Sequence, residues 1–325
     1  MSSLKKIAIV MGGESAEKVV SLKSGAVVAK HLDRSLYVPY PIMIDGKSWT
    51  YDHNGEKVEV NKNDFSLEIE GDKINFDGVF VAIHGTPGED GKLQGYLDLL
   101  KIPYSTAGQL PLALTFDKAK CNALLKQYGV VSAKTLIFKK GEHWDADKIV
   151  EELGLPVFVK PNQAGSSFGV SKVKAKEELA KAIDEAFLHD AQVNIDEFIE
   201  GTEVTCGVHN LFGEIETLPI TEIVAEGEFF DYTAKYEGKS QEITPARISD
   251  EEALKVSQIT QEVFYLLNLD GVSRVDFIIK KGQPYLIEVN TVPGLSEASL
   301  IPQQAAEIGM DLKTLFNAWV GHMLK

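Results

Sequence analysis

Cysteine is nearly absent: Cys121 and Cys206 are the only two, with no CxxC pair and no His/Cys spacing of the kind that holds zinc. That excludes a disulfide framework and fits a reducing compartment. Positive charge is also short. Lysine and arginine total 33 against 48 aspartates and glutamates, a formal net charge of −15. A field of that sign disfavours long nucleic-acid backbones, so a nucleotide would bind only where lysines gather locally. No apolar run reaches the roughly 18 residues that span a bilayer. The opening apolar stretch, Ile7–Met11, stops at Gly12 and Gly13 and is too short for a secretory leader. It reads as a buried first strand. Two nucleotide motifs are missing as well. GxxxxGK[ST] does not occur; Gly46-Lys47-Ser48 and Gly238-Lys239-Ser240 lack the upstream glycine. GxGxxG is absent too, which weakens a dinucleotide-dependent dehydrogenase reading.

What is present is a globular α/β chain of 325 residues, 44% of them hydrophobic, enough for two or three domains. The first hundred residues alternate strand and helix. Strands are expected at 6–11, 36–43 and 76–83. A helix capped by Ser15 should run to Leu32, another should cover 93–100, and 48–76 reads as polar hairpins. This rhythm belongs to a Rossmann-like parallel sheet. A helix over 110–128 opens a second block, followed by strands at 134–138, 157–160 and 170–173, and a helix over 177–188. A third block begins near Val193, with strands at 193–199, 203–210 and 215–224. The polar stretch 226–246 has no apolar period and reads as a mobile loop. Ser249 and Glu252 form a capping box, and Leu312–Leu324 forms a closing helix. The domains expected are 1–105, 106–196 and 197–325.

The strongest chemical signal lies in Val272–Asn290. Two alternating strands flank a loop expected at Lys281-Gly282-Gln283. Symmetry about Gly282 sets Asp276 opposite Glu288 and Arg274 opposite Asn290. Facing carboxylates destabilise a sheet unless a cation intervenes. A hard divalent metal on Asp276, Glu288 and Asn290 satisfies them, as Mg²⁺ does beside phosphates. The alternative is a solvated pair neutralised by Arg274. A second signal is the small-residue loop Asn162–Gly169 behind Lys160. Its backbone amides can approach phosphate oxygens, with Lys118 as a further cation.

Together these residues resemble the D-alanine–D-alanine ligases of the ATP-grasp superfamily, from Lys6 to about Met310. The resemblance is carried by Gly12–Leu22, His84–Gly95, Phe158–Gly169, Asp231–Tyr236, Arg274–Phe277 and Glu288–Gly294. It implies an ATP-grasp fold, α+β in its C-terminal part, behind the Rossmann-like domain. It implies ligation of two D-alanines through a D-alanyl phosphate. Lys118, Lys160, Ser166, Ser167 and Lys235 would meet ATP phosphates. Asp196, Glu197 and Ile199 would border the adenine, and Glu203 would take the ribose. Asp276, Glu288 and Asn290 would hold two Mg²⁺ ions, with Mn²⁺ a substitute. Glu17 would bind the first D-alanine, with His84 nearby. Ser166 and Tyr236 would bond to Glu17 and hold the loop 226–246 shut as a lid. Arg274 and the Gly294 amide would form an oxyanion hole, and Ser299 and Leu300 would take the second carboxylate. A cytoplasmic homodimer joined through the first domain is also implied. Asp196, Lys18, Ser105–Gly108 and Leu295-Ser296 depart from the family's usual pattern, yet no metal ligand or phosphate lysine is lost. The rival readings are a different ATP-grasp ligase and a nucleotide-binding protein without chemistry.

Overall fold

The computed structural model describes residues 4–163, 165, 168–225 and 240–325. Its first sheet contains β1 (Lys5–Gly12), β2 (Tyr37–Asp45), β3 (Ser48–His53), β4 (Glu56–Glu59) and β7 (Gly78–Val81), in the order β4-β3-β2-β1-β7. The central strands β2, β1 and β7 are parallel, while β3 and β4 extend the edge antiparallel. A small hairpin, β5 (Leu67–Ile69) and β6 (Asp72–Ile74), completes the polar excursion. Helix α1 (Lys18–His31) connects β1 to β2, as a parallel pair requires. Ser15 does not cap it. The Ser15 hydroxyl accepts the N–H of Glu17, the N-cap residue, at 3.2 Å and donates to the His84 carbonyl at 2.7 Å, tying two loops together.

Helix α2 (Lys92–Leu100) leads to α3 (Gln109–Phe116) and α4 (Lys118–Gln127). The single helix expected over 110–128 is broken at Asp117. Its backbone leaves the helical region (φ −88°, ψ 89°) and its carboxylate caps α4 through the Lys120 N–H. The break sets Lys118 at the first position of a new helix.

The second sheet, in the order β10-β9-β11-β8, joins β8 (Thr135–Lys139), β9 (Val157–Pro161), β10 (Ser171–Val173) and β11 (Gln192–Glu197). Helices α5 (Ala146–Leu153) and α6 (Leu179–Ala186) cover it through Ile149, Leu179 and Ile183. The third sheet joins β12 (Thr202–His209), β14 (Thr221–Ala225), β15 (Ser240–Ile243), β16 (Val272–Lys280) and β17 (Gln283–Asn290) in the order β15-β14-β12-β16-β17, with β13 (Glu216–Thr217) beside β12. The strand expected over 215–224 is thus divided between β13 and β14 (Thr221–Ala225). The expected mobile loop is also shorter at its far end. Ser240–Ile243 forms β15 against β14, and the Ala246 N–H donates to the Ile220 carbonyl at 2.8 Å. An edge strand is held by its ladder on one side only and needs no apolar period. Residues 226–239 lie outside the described residues.

In β16 (Val272–Lys280), Val275, Phe277 and Ile279 point to α7 (Asp250–Leu266) and join one core with Val256, Val263 and Phe264. Arg274, Asp276 and Ile278 take the opposite face. Helix α8 (Leu300–Glu307) and the last helix, α9 (Leu312–Met323), return to the start of the chain. Phe316 and Trp319 of α9 pack on Ile7, Ile9 and Phe80 of the first sheet, with the Phe80 and Trp319 rings 4.9 Å apart. The Trp319 indole donates to the Ser105 carbonyl at 2.6 Å. Among the described residues, no helix is long and apolar enough to cross a membrane.

Trp319 is 1% exposed and welds the two ends of the chain. Trp319→Ala is expected to cost about 3–5 kcal/mol, read as a lower midpoint in urea unfolding. A loss under about 1 kcal/mol would mean that α9 is not the anchor of the first sheet.

Candidate active site

A cavity of ≈ 490 Å³ lies where the three sheets converge. The hairpin of β16 and β17 (Gln283–Asn290) forms its floor. Arg274 faces Asn290 and Asp276 faces Glu288, as the symmetry predicts. The route to that register differs from expectation. The turn is two residues, Lys281 and Gly282, both at positive φ as a tight hairpin requires. That shortening shifts the outer pairs by one, so Phe277 meets Leu286. A bulge at Ile287 then restores the register at the site.

Asp276 collects four donors. Arg274 gives Nε at 2.9 Å and Nη2 at 2.8 Å, Asn290 gives Nδ2 at 2.9 Å, and Thr205 gives its hydroxyl at 2.5 Å. The guanidinium of the alternative reading therefore does lie on Asp276, inside the cavity rather than at the surface. Glu288 lies 3.4 Å from the Lys118 ammonium. Among the described residues, no three His, Cys, Asp or Glu side chains cluster as metal ligands. The expected set has only two carboxylates and an amide. Their oxygens share one face of the hairpin and form the hard donor set that Mg²⁺ takes.

The second sheet supplies the far wall. Lys160 and Asp196 stand diagonally across β9 and β11, with Nζ and Oδ2 2.6 Å apart. Burial works against the Lys160 ammonium, but the Asp196 carboxylate outweighs it and holds the pKa above the usual lysine value. The other Asp196 oxygen accepts from the Thr135 hydroxyl at 2.7 Å. Asp196 thus orients the lysine, and it lines the cavity beside it. The Glu197 carboxylate accepts the Lys134 N–H at 2.7 Å. Glu197, Ile199 and Glu203 line the same cavity.

The first sheet brings Glu17, at the start of α1, and His84, just after β7. Gly165 of the 162–169 loop lies against the Glu17 carboxylate so closely that a Cβ would collide with it. Gly294, Ser299 and Leu300 line the cavity at the N-terminus of α8, with the Ser299 and Ser296 hydroxyls 2.7 Å apart. Ser166, Ser167, Lys235 and Tyr236 lie outside the described residues, and so does residue 226–239 of the expected lid.

Two participants escaped the residue-by-residue reading. Thr205 bonds Asp276 from a neighbouring strand, which only the sheet order reveals. Glu89 lines the cavity within the His84–Gly95 run that carries the resemblance, and it accepts the Gly85 N–H at 2.7 Å. Burial, reinforced by the charge of Glu17, pushes the Glu89 carboxyl up from 4.5 to about 8. The folded chain therefore holds this proton more tightly than the unfolded chain does. Stability from this group is intact below pH 4.5 and is lost as pH rises to about 8. Glu89→Gln removes the titration and keeps the acceptor. Its gain in Tm over the parent is expected to be larger at about pH 8.5 than at about pH 5. An equal difference at both would show that Glu89 titrates as an ordinary carboxylate.

Two family models match the chain: the D-ala D-ala ligase N-terminus over residues 6–107 and the D-ala D-ala ligase C-terminus over residues 124–320. The chain is 50% identical over 314 residues to the D-alanine–D-alanine ligase of Flavobacterium johnsoniae, covering 96% of this chain and 97% of the relative. It is 44% identical over 311 residues to that of Bacteroides fragilis, covering 95% and 96%. Among solved structures, the VanG D-Ala:D-Ser ligase of Enterococcus faecalis superposes with a TM-score of 0.87 at 33% identity, covering 99% of this chain and 100% of that one. The D-alanine–D-alanine ligase of Bacillus anthracis complexed with ATP gives 0.80 at 30% identity, covering 98% and 97%. With both halves of the family matched in order and the cavity built from the residues that mark it, this chain belongs to the D-alanine–D-alanine ligase family and has its ATP-grasp fold.

Proposed function

We propose that the chain joins two D-alanines into D-alanyl-D-alanine, consuming ATP, as a step in peptidoglycan precursor synthesis. One observation carries the reading. A single cavity unites the Glu17 carboxylate with the lysines Lys118 and Lys160 and the Asp276–Glu288 hairpin.

A carboxylate is a poor electrophile, so an amine cannot attack it directly near neutral pH. In the proposed reaction the first D-alanine, held by Glu17, attacks the γ-phosphorus of ATP through its carboxylate oxygen. The bond to ADP breaks and D-alanyl phosphate forms. Lys118 and Lys160 balance phosphate charge. Mg²⁺ held by Asp276, Glu288 and Asn290 would offset charge on the transferring group. The neutral amine of the second D-alanine then attacks the acyl carbon. The carbon–phosphate oxygen bond breaks, phosphate leaves, and the proton shed by the nitrogen passes to the departing phosphate. Arg274 and the Gly294 N–H stabilise the tetrahedral oxyanion. Ser299 and Leu300 open α8, and a helix N-terminus suits the second carboxylate. Glu197, Ile199 and Glu203 receive the nucleoside, while Asp196 positions Lys160. His84 acts beside Glu17. On the resemblance, Ser166, Ser167, Lys235 and Tyr236 complete the set. The proposal includes two metal ions, a homodimer through the first domain and a cytoplasmic location, where ATP is at hand.

The test is phosphate release with Mg-ATP and D-alanine, with L-alanine as control and the product read by mass. D-alanine-dependent release with D-alanyl-D-alanine formed is expected. Because one structural neighbour is named a D-Ala:D-Ser ligase, D-serine is added in competition. A mixed product dominating over D-alanyl-D-alanine would reassign the second substrate. Asp276→Asn is expected to lower kcat by about 100-fold or more, the scale of losing one preorganised electrostatic group. Full activity in that variant, or in chelator, would remove the metal from the proposal.

A further inference from the structure

Ser24 sits two turns into α1, 0% exposed, on the helix that Glu17 opens. Its Oγ accepts the Leu295 backbone N–H at 3.1 Å and lies 3.2 Å from Nε2 of His84, which is 5% exposed. Burial holds the His84 imidazole below its usual pKa despite the nearby Glu17 charge, so the ring is neutral near pH 7. The Leu295 N–H can only donate. Ser24 Oγ therefore accepts it, and the same oxygen bonds His84 Nε2, with the donor of that second bond set by the ring tautomer. The Val292 backbone also reaches this ring. The segment from Val292 to Leu295 is therefore tied to α1 and to the end of β7.

Gly294 lies within that segment. Leu295 anchors it from one side by burying its side chain in the core shared with Val28 and Ile301. Apolar packing sets depth but not the orientation of a peptide plane; a directed hydrogen bond does that. On the other side the segment lies against Ser299: a Cβ on Gly294 would stand 2.8 Å from its hydroxyl. The Gly294–Leu295 peptide is joined to the Gly294 N–H through a single Cα, so an error in its plane passes directly to that N–H.

Building on the ligase function proposed above, we propose that Ser24 is a positioning residue: through Leu295 and His84 it sets the Gly294 N–H against the substrate held by Glu17, so that it acts on the amine-attack step and not on phosphoryl transfer. The two half-reactions separate the idea from a merely structural role. Oxygen-isotope scrambling within labelled ATP in the presence of D-alanine reads reversible D-alanyl phosphate formation. Dipeptide production reads the whole reaction.

Ser24→Ala is expected to lower dipeptide kcat about 10-fold, less than the 10²–10³ of deleting an oxyanion donor outright. Isotope scrambling should stay within about two-fold of the parent. Scrambling that falls in parallel with dipeptide formation, or a dipeptide rate that does not change, overturns the proposal. If Ser24→Ala does not fold, Ser24→Cys keeps the shape with a much weaker hydrogen-bonding group and is judged by the same two rates. The parent protein is the control. A parent that makes no dipeptide sinks the ligase reading and this inference with it, whereas a parent that ligates beside an unaffected variant sinks the inference alone.

Discussion

Alternation along the β16–β17 hairpin is the constraint on which the site depends. A strand presents successive residues to opposite faces. Val275, Phe277 and Ile279 must therefore point into the α7 core if Arg274 and Asp276 are to point into the cavity. The apolar face fixes the hairpin rigidly, and the polar face inherits that rigidity. A one-residue slip would exchange the faces and bury the charges in the core. The bulge at Ile287 matters for this reason. It absorbs the offset of a two-residue turn before the register reaches Asp276 and Glu288.

Charge compensation is the second organising theme. A chain of net charge −15 gathers its cavity cations where they are needed. Lys118 faces Glu288, Lys160 faces Asp196 and Arg274 grips Asp276. Each cation is oriented by a carboxylate that would be costly to bury alone. Glu89 is the exception. Half-buried beside Glu17, it relieves the crowding by retaining its proton.

The cavity belongs to no single sheet. The first sheet brings Glu17 and His84, the second Lys160, and the third the hairpin. Their relative placement rests on cores that join distant parts of the chain, above all α9 packed on β1 and β7. Loops laced by side-chain-to-backbone bonds, such as the Ser15 hydroxyl to the His84 carbonyl, hold the first-sheet residues in line.

Much of this was legible in the sequence by itself. Strand alternation and turn chemistry are local, so the facing pairs Asp276–Glu288 and Arg274–Asn290 could be read before any fold was known. The family could be read from short runs such as His84–Gly95 and Glu288–Gly294, whose order along the chain is itself information. Other features depend on groups far apart in sequence, and only the tertiary structure decided them. Asp117 breaks a continuous helical pattern because its carboxylate caps α4. Ser240–Ile243 becomes a strand because β14 offers an edge. Asp196 serves Lys160 because β9 and β11 pair in one register. Glu89 holds its proton and Ser24 meets Leu295 because packing encloses them beside partners from other segments. Local propensity and motif are written along the chain, whereas burial and the field at a side chain are properties of the assembled fold.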